Sequence, residues 1–292
     1  MISKITAIIV AIVTMISNLS GIIPSRQVYY NDVAYGTAER QVMDVCFPAD
    51  VDKTEGVVLF IHGGAWMTGD KSSYSSRIQN ISKTVGCITA TMNYRYISGD
   101  VHCKDILKDI SGALAKIKAM AETRGITCDK VMLIGASAGA HLSLLYAYTQ
   151  GEKAPIKPCA VAAYSAPADL SSEKFIKESS LLPVGKTLQL LSYLTGTNLL
   201  KLNSSQIKST LYTYSPIKYA ATANIPTLVV HGKLDTVVPI DDTYRLVEKL
   251  RVNGVTHTFI ELPDSGHGLD NDAYLMSKSD QVFVDFVNMY LK

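Results

Sequence analysis

The stretch from Val131 to Leu145, VMLIGASAGAHLSLL, constrains the fold of this chain more than any other. Four apolar β-formers, Val131 to Ile134, run straight into Gly135-Ala-Ser-Ala-Gly139, and an Ala- and Leu-rich helical pattern begins at once. This reads as a strand, an abrupt turn and a helix, with Ser137 at the apex. Such a turn drives the apex residue into strained φ/ψ, and glycines two places before and after it remove side chains that would collide. The serine hydroxyl is pushed outward beside a helix N-terminus, as in the G-x-S-x-G nucleophile elbow. Small-residue turns between strand and helix also occur for structural reasons alone, so the rest of the chain has to supply a base, an acid and oxyanion donors in a compatible order.

The chain has 292 residues and 47% hydrophobic content, enough for one large α/β domain, placed at 25–292. Arg40 to Pro48 reads as a partly exposed strand stopped by Pro48, and VVLFI (Val57 to Ile61) as a strand buried on both faces. Gly86 to Tyr96, Ala160 to Pro167, PTLVVHG (Pro226 to Gly232) and THTFIEL (Thr256 to Leu262) are also strand-like. Helical spacing is weak over Ser75 to Val85. It is clear from Cys103 to Arg124, where Ile106, Ile110, Ala113, Leu114 and Ile117 share a face and Gly125 closes the helix. Asp241 to Asn253 and Ser279 to Leu291 carry the same period. Strands alternating with helices predict a mostly parallel sheet with helices on both faces, and catalytic groups outside the C-terminal strand ends. The alternation breaks between about 169 and 216, a strand-free stretch rich in Leu, Ser and Lys. It is expected to be a helical cap that shapes a substrate pocket, with its leucines packing it onto the body.

Net charge is +2 without Lys/Arg clusters, which argues against a nucleic-acid partner. Lys4 is followed by the apolar run Ile5 to Ile16 and a small, polar segment ending at Gly21. That run is short for a membrane span of about 20 residues and suits a signal peptide over 1–24, making the protein secreted or extracytoplasmic. The alternative is a membrane anchor over residues 5–23, the sole expected membrane contact if uncleaved. Five cysteines (46, 87, 103, 128 and 159) show no C-x-x-C spacing and read as buried thiols, with a Cys103–Cys128 bridge unsupported. No metal site or cofactor is implied.

A serine hydroxyl needs a base that titrates near neutrality, and histidine supplies it. Of six histidines, His267 in PDSGHG lies in a glycine-flanked loop after the last expected strand. His62 and His231 end apolar strands, where hydrogen bonds to backbone are the usual role. His141 points away from the elbow apex, and His102 and His257 stand at element boundaries. Asp235 directly follows a buried strand and is the expected acid, while Asp241, Asp242, Asp264 and Asp270 look like helix-cap and turn residues. The order Ser137, Asp235, His267 suits this sheet type. Backbone N–H groups at Gly64 and Ala65 in His62-Gly-Gly-Ala-Trp66, with that of Ala138, are the expected oxyanion hole.

Taken together, RQVMDVCFP, HGGAW with GDK after it, MNYRY, GASAGAHL, YSPIKYA, PTLVVHGKLDTVVP and LPDSGHG resemble the α/β-hydrolase superfamily. The likeness is to carboxylesterases of the hormone-sensitive-lipase-like and bacterial feruloyl or acetyl-xylan esterase-like groups. It covers most of the chain and implies an eight-stranded, mostly parallel sheet and a Ser137/His267/Asp235 triad. The implied activity is hydrolysis of small-molecule or carbohydrate-linked carboxylic esters, of short acyl, acetyl or feruloyl type, through an acyl-enzyme. Lipase-like members often carry a third glycine where Ala65 stands, an aspartate at Ala136 and a glycine at Ala140. The HGG-x-W form also resembles kynurenine formamidases, which keeps amide hydrolysis open, and a non-catalytic binding protein on the same fold is the rival of another class.

Overall fold

The computed structural model describes residues 26–50, 56–180, 182 and 184–291. The N-terminal segment read as a signal or anchor lies outside the described residues. Among those described, no helix is long and apolar enough to cross a membrane.

Among the described residues, eight strands form one sheet: β1 (Val28–Ala34), β2 (Val42–Phe47), β3 (Val57–Ile61), β4 (Ile88–Met92), β5 (Lys130–Ala136), β6 (Lys157–Tyr164), β7 (Thr227–Gly232) and β8 (His257–Leu262). Their order is β1-β2-β4-β3-β5-β6-β7-β8, and β2 alone runs against the others. This is the α/β-hydrolase sheet that the resemblance implies. Every residue of β3 and β7 is buried, as their continuous apolar runs require of strands covered on both faces.

The Tyr- and Asn-rich stretch before Arg40, to which the sequence reading assigns no element, is β1. Its pairing with β2 shifts register between Tyr30 and Val33, where Asp32 takes a positive φ of 51°. The bulge interrupts the alternation that would have identified the strand. Because β1 covers it, β2 is almost wholly buried rather than partly exposed. Its inward Asp44 is neutralised by Lys71 Nζ at 2.7 Å and accepts from Ser75 Oγ and Tyr29 OH.

One face of the sheet carries α2 (Cys103–Glu122), α3 (Ala138–Gln150) and α8 (Ile240–Val252); the other carries α1 (Ser75–Val85) and α9 (Ala273–Tyr290). The weakly patterned α1 is thus a real helix, held to the sheet by Ile78 and Val85. The start of α2 is fixed by Asp105, whose carboxylate accepts from the His102 N–H at 3.1 Å, and Gly125 follows its end at φ 69°. Helix α3 is buried from Ala138 to Tyr148, which explains its apolar character all round. Helix α9 begins six residues before the expected Ser279, because its first turn displays Tyr274 to solvent and hides the period.

Between β6 and β7 the chain forms α4 (Glu173–Glu178), α5 (Val184–Thr195), α6 (Ser204–Thr213) and the short α7 (Ala220–Ala223). Leu190, Leu191, Leu194 and Leu199 are buried in the main core, whereas Leu200 is exposed. The stem of this segment is closed by bonds between its two ends and fastened to the body beyond β7. Ile217 N–H donates to Ala168 O at 3.1 Å, and Leu170 N–H to Ser215 Oγ at 2.9 Å. Ser179 Oγ and Ser180 N–H donate to Val237 O and Thr236 O, at 2.6 and 2.7 Å. None of the five cysteines is joined in a disulfide.

Candidate active site

The connections after β3 and β5 leave in opposite directions, β3 toward α1 on one face and β5 into α3 on the other. A crevice opens between two such strands at their C-terminal ends. Register aligns Ile61 with Gly135, so the HGGAW loop and the Ser137 turn emerge side by side.

Ser137 has φ 53° and ψ −122°, the strained apex expected, and α3 starts at Ala138. The two flanking glycines are forced by backbone proximity. A Cβ on Gly135 would stand 2.4 Å from the Gly139 carbonyl carbon, and one on Gly139 only 2.0 Å from Ile61 O. Ser137 N–H donates to Tyr164 O at 2.8 Å, which ties the apex to β6. Among the described residues, five of the seven non-glycine residues with positive φ lie at this end of the sheet: Ala65, Trp66, Ser137, Ser165 and Leu269. Each such conformation costs about 1–3 kcal/mol, so strain is concentrated where the loops converge.

His267 links Ser137 and Asp235. Its Nε2 lies 3.0 Å from Ser137 Oγ and its Nδ1 2.8 Å from Asp235 Oδ2. Burial pushes the Asp235 carboxyl up, but N–H donors from His231, His267 and Val238 outweigh it and hold it well below the usual carboxylate range. Facing a carboxylate, His267 Nδ1 carries the ring proton, which leaves the Nε2 lone pair directed at the serine hydroxyl. Asp235 Oδ1 accepts from the N–H groups of Val237 and Val238, both at 2.8 Å. The His267 loop is itself braced by Asp272, which accepts from Ser265 Oγ at 2.6 Å and Asp264 N–H at 3.1 Å.

Gly63 passes so close to the elbow that a Cβ there would lie 2.9 Å from Ala136 O and 3.3 Å from Ser137 Cβ. Gly64 follows at φ 110°, a conformation suited to glycine, and its carbonyl accepts from the N–H groups of Met67 and Thr68. The Gly64 carbonyl is thereby turned into its own loop. Ala138 is the first residue of α3, where an N–H has no intrahelical acceptor. The loop is held from behind by two histidines. His62 Nδ1–H donates to Gly63 O at 2.7 Å, and its ring stacks on Tyr94. His141 Nε2–H donates to Tyr214 O at 2.8 Å, while Nδ1 accepts from buried Trp66 Nε1 at 3.2 Å. Burial lowers both rings to about 4, so each stays neutral near pH 7.

The other candidate groups have separate partners. His102 Nδ1 is bonded to Tyr193 O and His257 Nδ1 to Val255 O. Asp241 and Asp242 lie in the first turn of α8, paired with Lys174 and Arg245. His231 goes beyond the backbone bond expected of it. Its Nε2 is 3.0 Å from Val238 O and also 3.1 Å from Asp235 Oδ2, and the ring is fully buried. The four-residue spacing of His231 and Asp235 across the end of β7 was the available signal. Among the described residues, no cluster of His, Cys, Asp and Glu could hold a metal ion.

A family model described as BD-FAE matches residues 43–250, which span the strand-end loops up to the end of α8. Among curated proteins, the chain is 28% identical over 259 residues to the probable carboxylic ester hydrolase LipM of Mycobacterium tuberculosis, and 25% identical over 250 residues to the esterase LipC of the same organism. These alignments cover 82% and 84% of this chain but 56% and 61% of the relatives, so the chain spans little more than half their length. Among solved structures, a truncated carbohydrate esterase from gut microbiota superposes with a TM-score of 0.70 at 19% identity, covering 90% of this chain and 97% of the other. Esterase B from Lactobacillus rhamnosis also gives 0.70, at 20% identity over 99% of this chain and 93% of the other. With the sheet order, the elbow and the family match in agreement, the chain belongs to the BD-FAE family and has the α/β-hydrolase fold.

Proposed function

We propose that the protein is a serine hydrolase of carboxylic esters that works through an acyl-enzyme on Ser137. The observation that carries this reading is the unbroken hydrogen-bonded line from Ser137 Oγ through His267 to Asp235 at 3.0 and 2.8 Å. The names of the relatives support esters over amides as substrates.

In the proposed reaction, Ser137 Oγ attacks the ester carbonyl while His267 Nε2 takes its proton. The imidazolium is stabilised by Asp235, whose carboxylate is ionised at any working pH. Negative charge on the former carbonyl oxygen meets the N–H groups of Gly64, Ala65 and Ala138, the last at the positive end of α3. Collapse of this intermediate expels the alcohol, which receives the proton from His267 Nε2. Water then gives a proton to His267 and attacks the acyl carbon, and return of that proton to Ser137 Oγ releases the acid. The segment over 169–216 acts as a cap beside this crevice, and short acyl, acetyl or feruloyl esters of small molecules or carbohydrates are the proposed substrate range.

The test is hydrolysis of p-nitrophenyl acetate by Ser137→Ala. Activity should vanish with the unfolding transition kept, and a fluorophosphonate should label wild type at Ser137 alone. Full activity in Ser137→Ala refutes the assignment.

A further inference from the structure

We propose that His231 is a positioning residue for this reaction, fixing the orientation and the charge of Asp235; the inference rests on reading Asp235 as the acid of the triad. Only one tautomer of His231 satisfies its surroundings. Nε2 faces Val238 O at 3.0 Å and Asp235 Oδ2 at 3.1 Å, and neither oxygen can donate. Nε2 therefore carries the proton and shares it between them, and Nδ1 accepts the hydroxyl proton of Thr243 at 2.8 Å. The result is a closed clamp. Val238 gives its N–H to Asp235 Oδ1, and its carbonyl receives the N–H of His231, which also rests on Asp235 Oδ2.

Two imidazoles thus meet on one carboxylate oxygen, His267 from the solvent side and His231 from the core. The side chains of Asp235 and His231 are both fully buried, so no water competes for these positions. Turning the carboxylate about its Cβ–Cγ bond would disturb the contacts with His231, His267, Val237 and Val238 together. The His231 N–H also draws off part of the charge that would otherwise act on the catalytic imidazolium. Removing that N–H leaves more negative charge facing His267, which stabilises its protonated form. The acidic limb of the kcat/KM profile then moves to higher pH, which a residue that merely fills space would not cause.

Three variants separate these roles, with p-nitrophenyl acetate as the probe. His231→Phe keeps a ring and loses the N–H; His231→Gln keeps an amide N–H in the place of Nε2; Thr243→Val removes the lock on the tautomer. For His231→Phe, kcat is expected to fall roughly 10- to 100-fold with KM changed less than about threefold. Its acidic limb should rise by roughly half a pH unit. His231→Gln should restore the limb and most of kcat, with Thr243→Val between the two. Wild-type kcat and limb in His231→Phe overturn the proposal, as do equal losses in all three variants with an unmoved limb. Should His231→Phe fail to fold, the limb of Thr243→Val against that of His231→Gln decides by the same criterion. Asp235→Asn keeps the two readings apart. If it retains wild-type kcat, the triad reading itself fails; if it is inactive while the His231→Phe limb stays put, only the role of His231 falls.

Discussion

Gly139→Ala tests how tightly the fold ties the serine turn to the loop that is to receive the oxyanion. The new methyl would stand 2.0 Å from Ile61 O and 2.5 Å from His62 O, both backbone atoms in the strand end that leads into Gly63 and Gly64. Normal contact for such atoms is roughly 3.4 Å or more, so β3 and α3 must separate by more than about 1 Å. Overpacking of this kind costs about 1–3 kcal/mol. In a domain of this size each kcal/mol lowers Tm by roughly 2–4 °C. On the proposed mechanism the larger effect falls on rate, because the displaced strand end would carry the proposed Gly64 and Ala65 donors away from a carbonyl adduct on Ser137. A 1 Å misplacement at a reacting centre is worth about 100-fold, which is the expected loss in kcat for p-nitrophenyl acetate. Labelling by a fluorophosphonate should slow in step, since the phosphonyl oxygen uses the same donors. Gly185→Ala is the control: a Cβ there meets nothing within 4 Å, and stability should hold or rise by up to about 1 kcal/mol. A Gly139→Ala protein with wild-type kcat and Tm would refute the reasoning.

Asp242 gives a pH prediction. Burial lifts its carboxyl to about 6 despite the bonds from Ser172 and Arg245. The unfolded value is near 3.9, so between roughly pH 4 and 6 the folded state binds more protons, and stability falls as pH rises through that window, by at most about 3 kcal/mol. Asp242→Asn keeps an acceptor for Arg245 and, in place of the oxygen that accepts from Ser172 Oγ, turns an amide N–H toward that hydroxyl, without the charge. In urea unfolding its stability relative to wild type should improve from pH 4.5 to 7.5; a gap independent of pH would be contrary. Trp66→Phe removes the donor to His141 Nδ1 and leaves that buried atom unpaired, an expected loss of about 1–3 kcal/mol by denaturant titration. Finally, activity should hold on the acid side until a group other than His62 and His141 protonates, as a pH profile of kcat/KM would show. His62 and His141, held neutral down to about 4, cannot account for a limb nearer neutrality.

What the sequence revealed follows from where backbone geometry dictates residue type. Gly135 and Gly139 are legible because carbonyl groups lie where their side chains would be, and His267 because it stands between Gly266 and Gly268 past the last strand. The three side chains singled out at the strand ends are the ones the fold joins by hydrogen bonds. Interactions between distant segments leave no such trace. Asp44 and Lys71 are 27 residues apart, and neither the burial of β2 nor its edge partner β1 could be inferred from local alternation broken by a bulge. The histidine at 231 looked like any strand-ending histidine because its second contact depends on how the chain turns at Asp235. The late start assigned to α9 arose because its exposed first turn lacks a periodic face.

The stem bonds of the helical segment have a practical consequence for building chimaeras. Ser179 and Ser180 are fastened to Val237 and Thr236, neighbours of Asp235, and Ser172 to Asp242, next to the Thr243 that orients His231. A graft cut at Asp169 and Pro216 would sever these attachments and loosen Asp235 along with the segment. Splicing inside them, after Ser180 and before Tyr214, exchanges the middle of the segment while the bonds around Asp235 and His231 stay native.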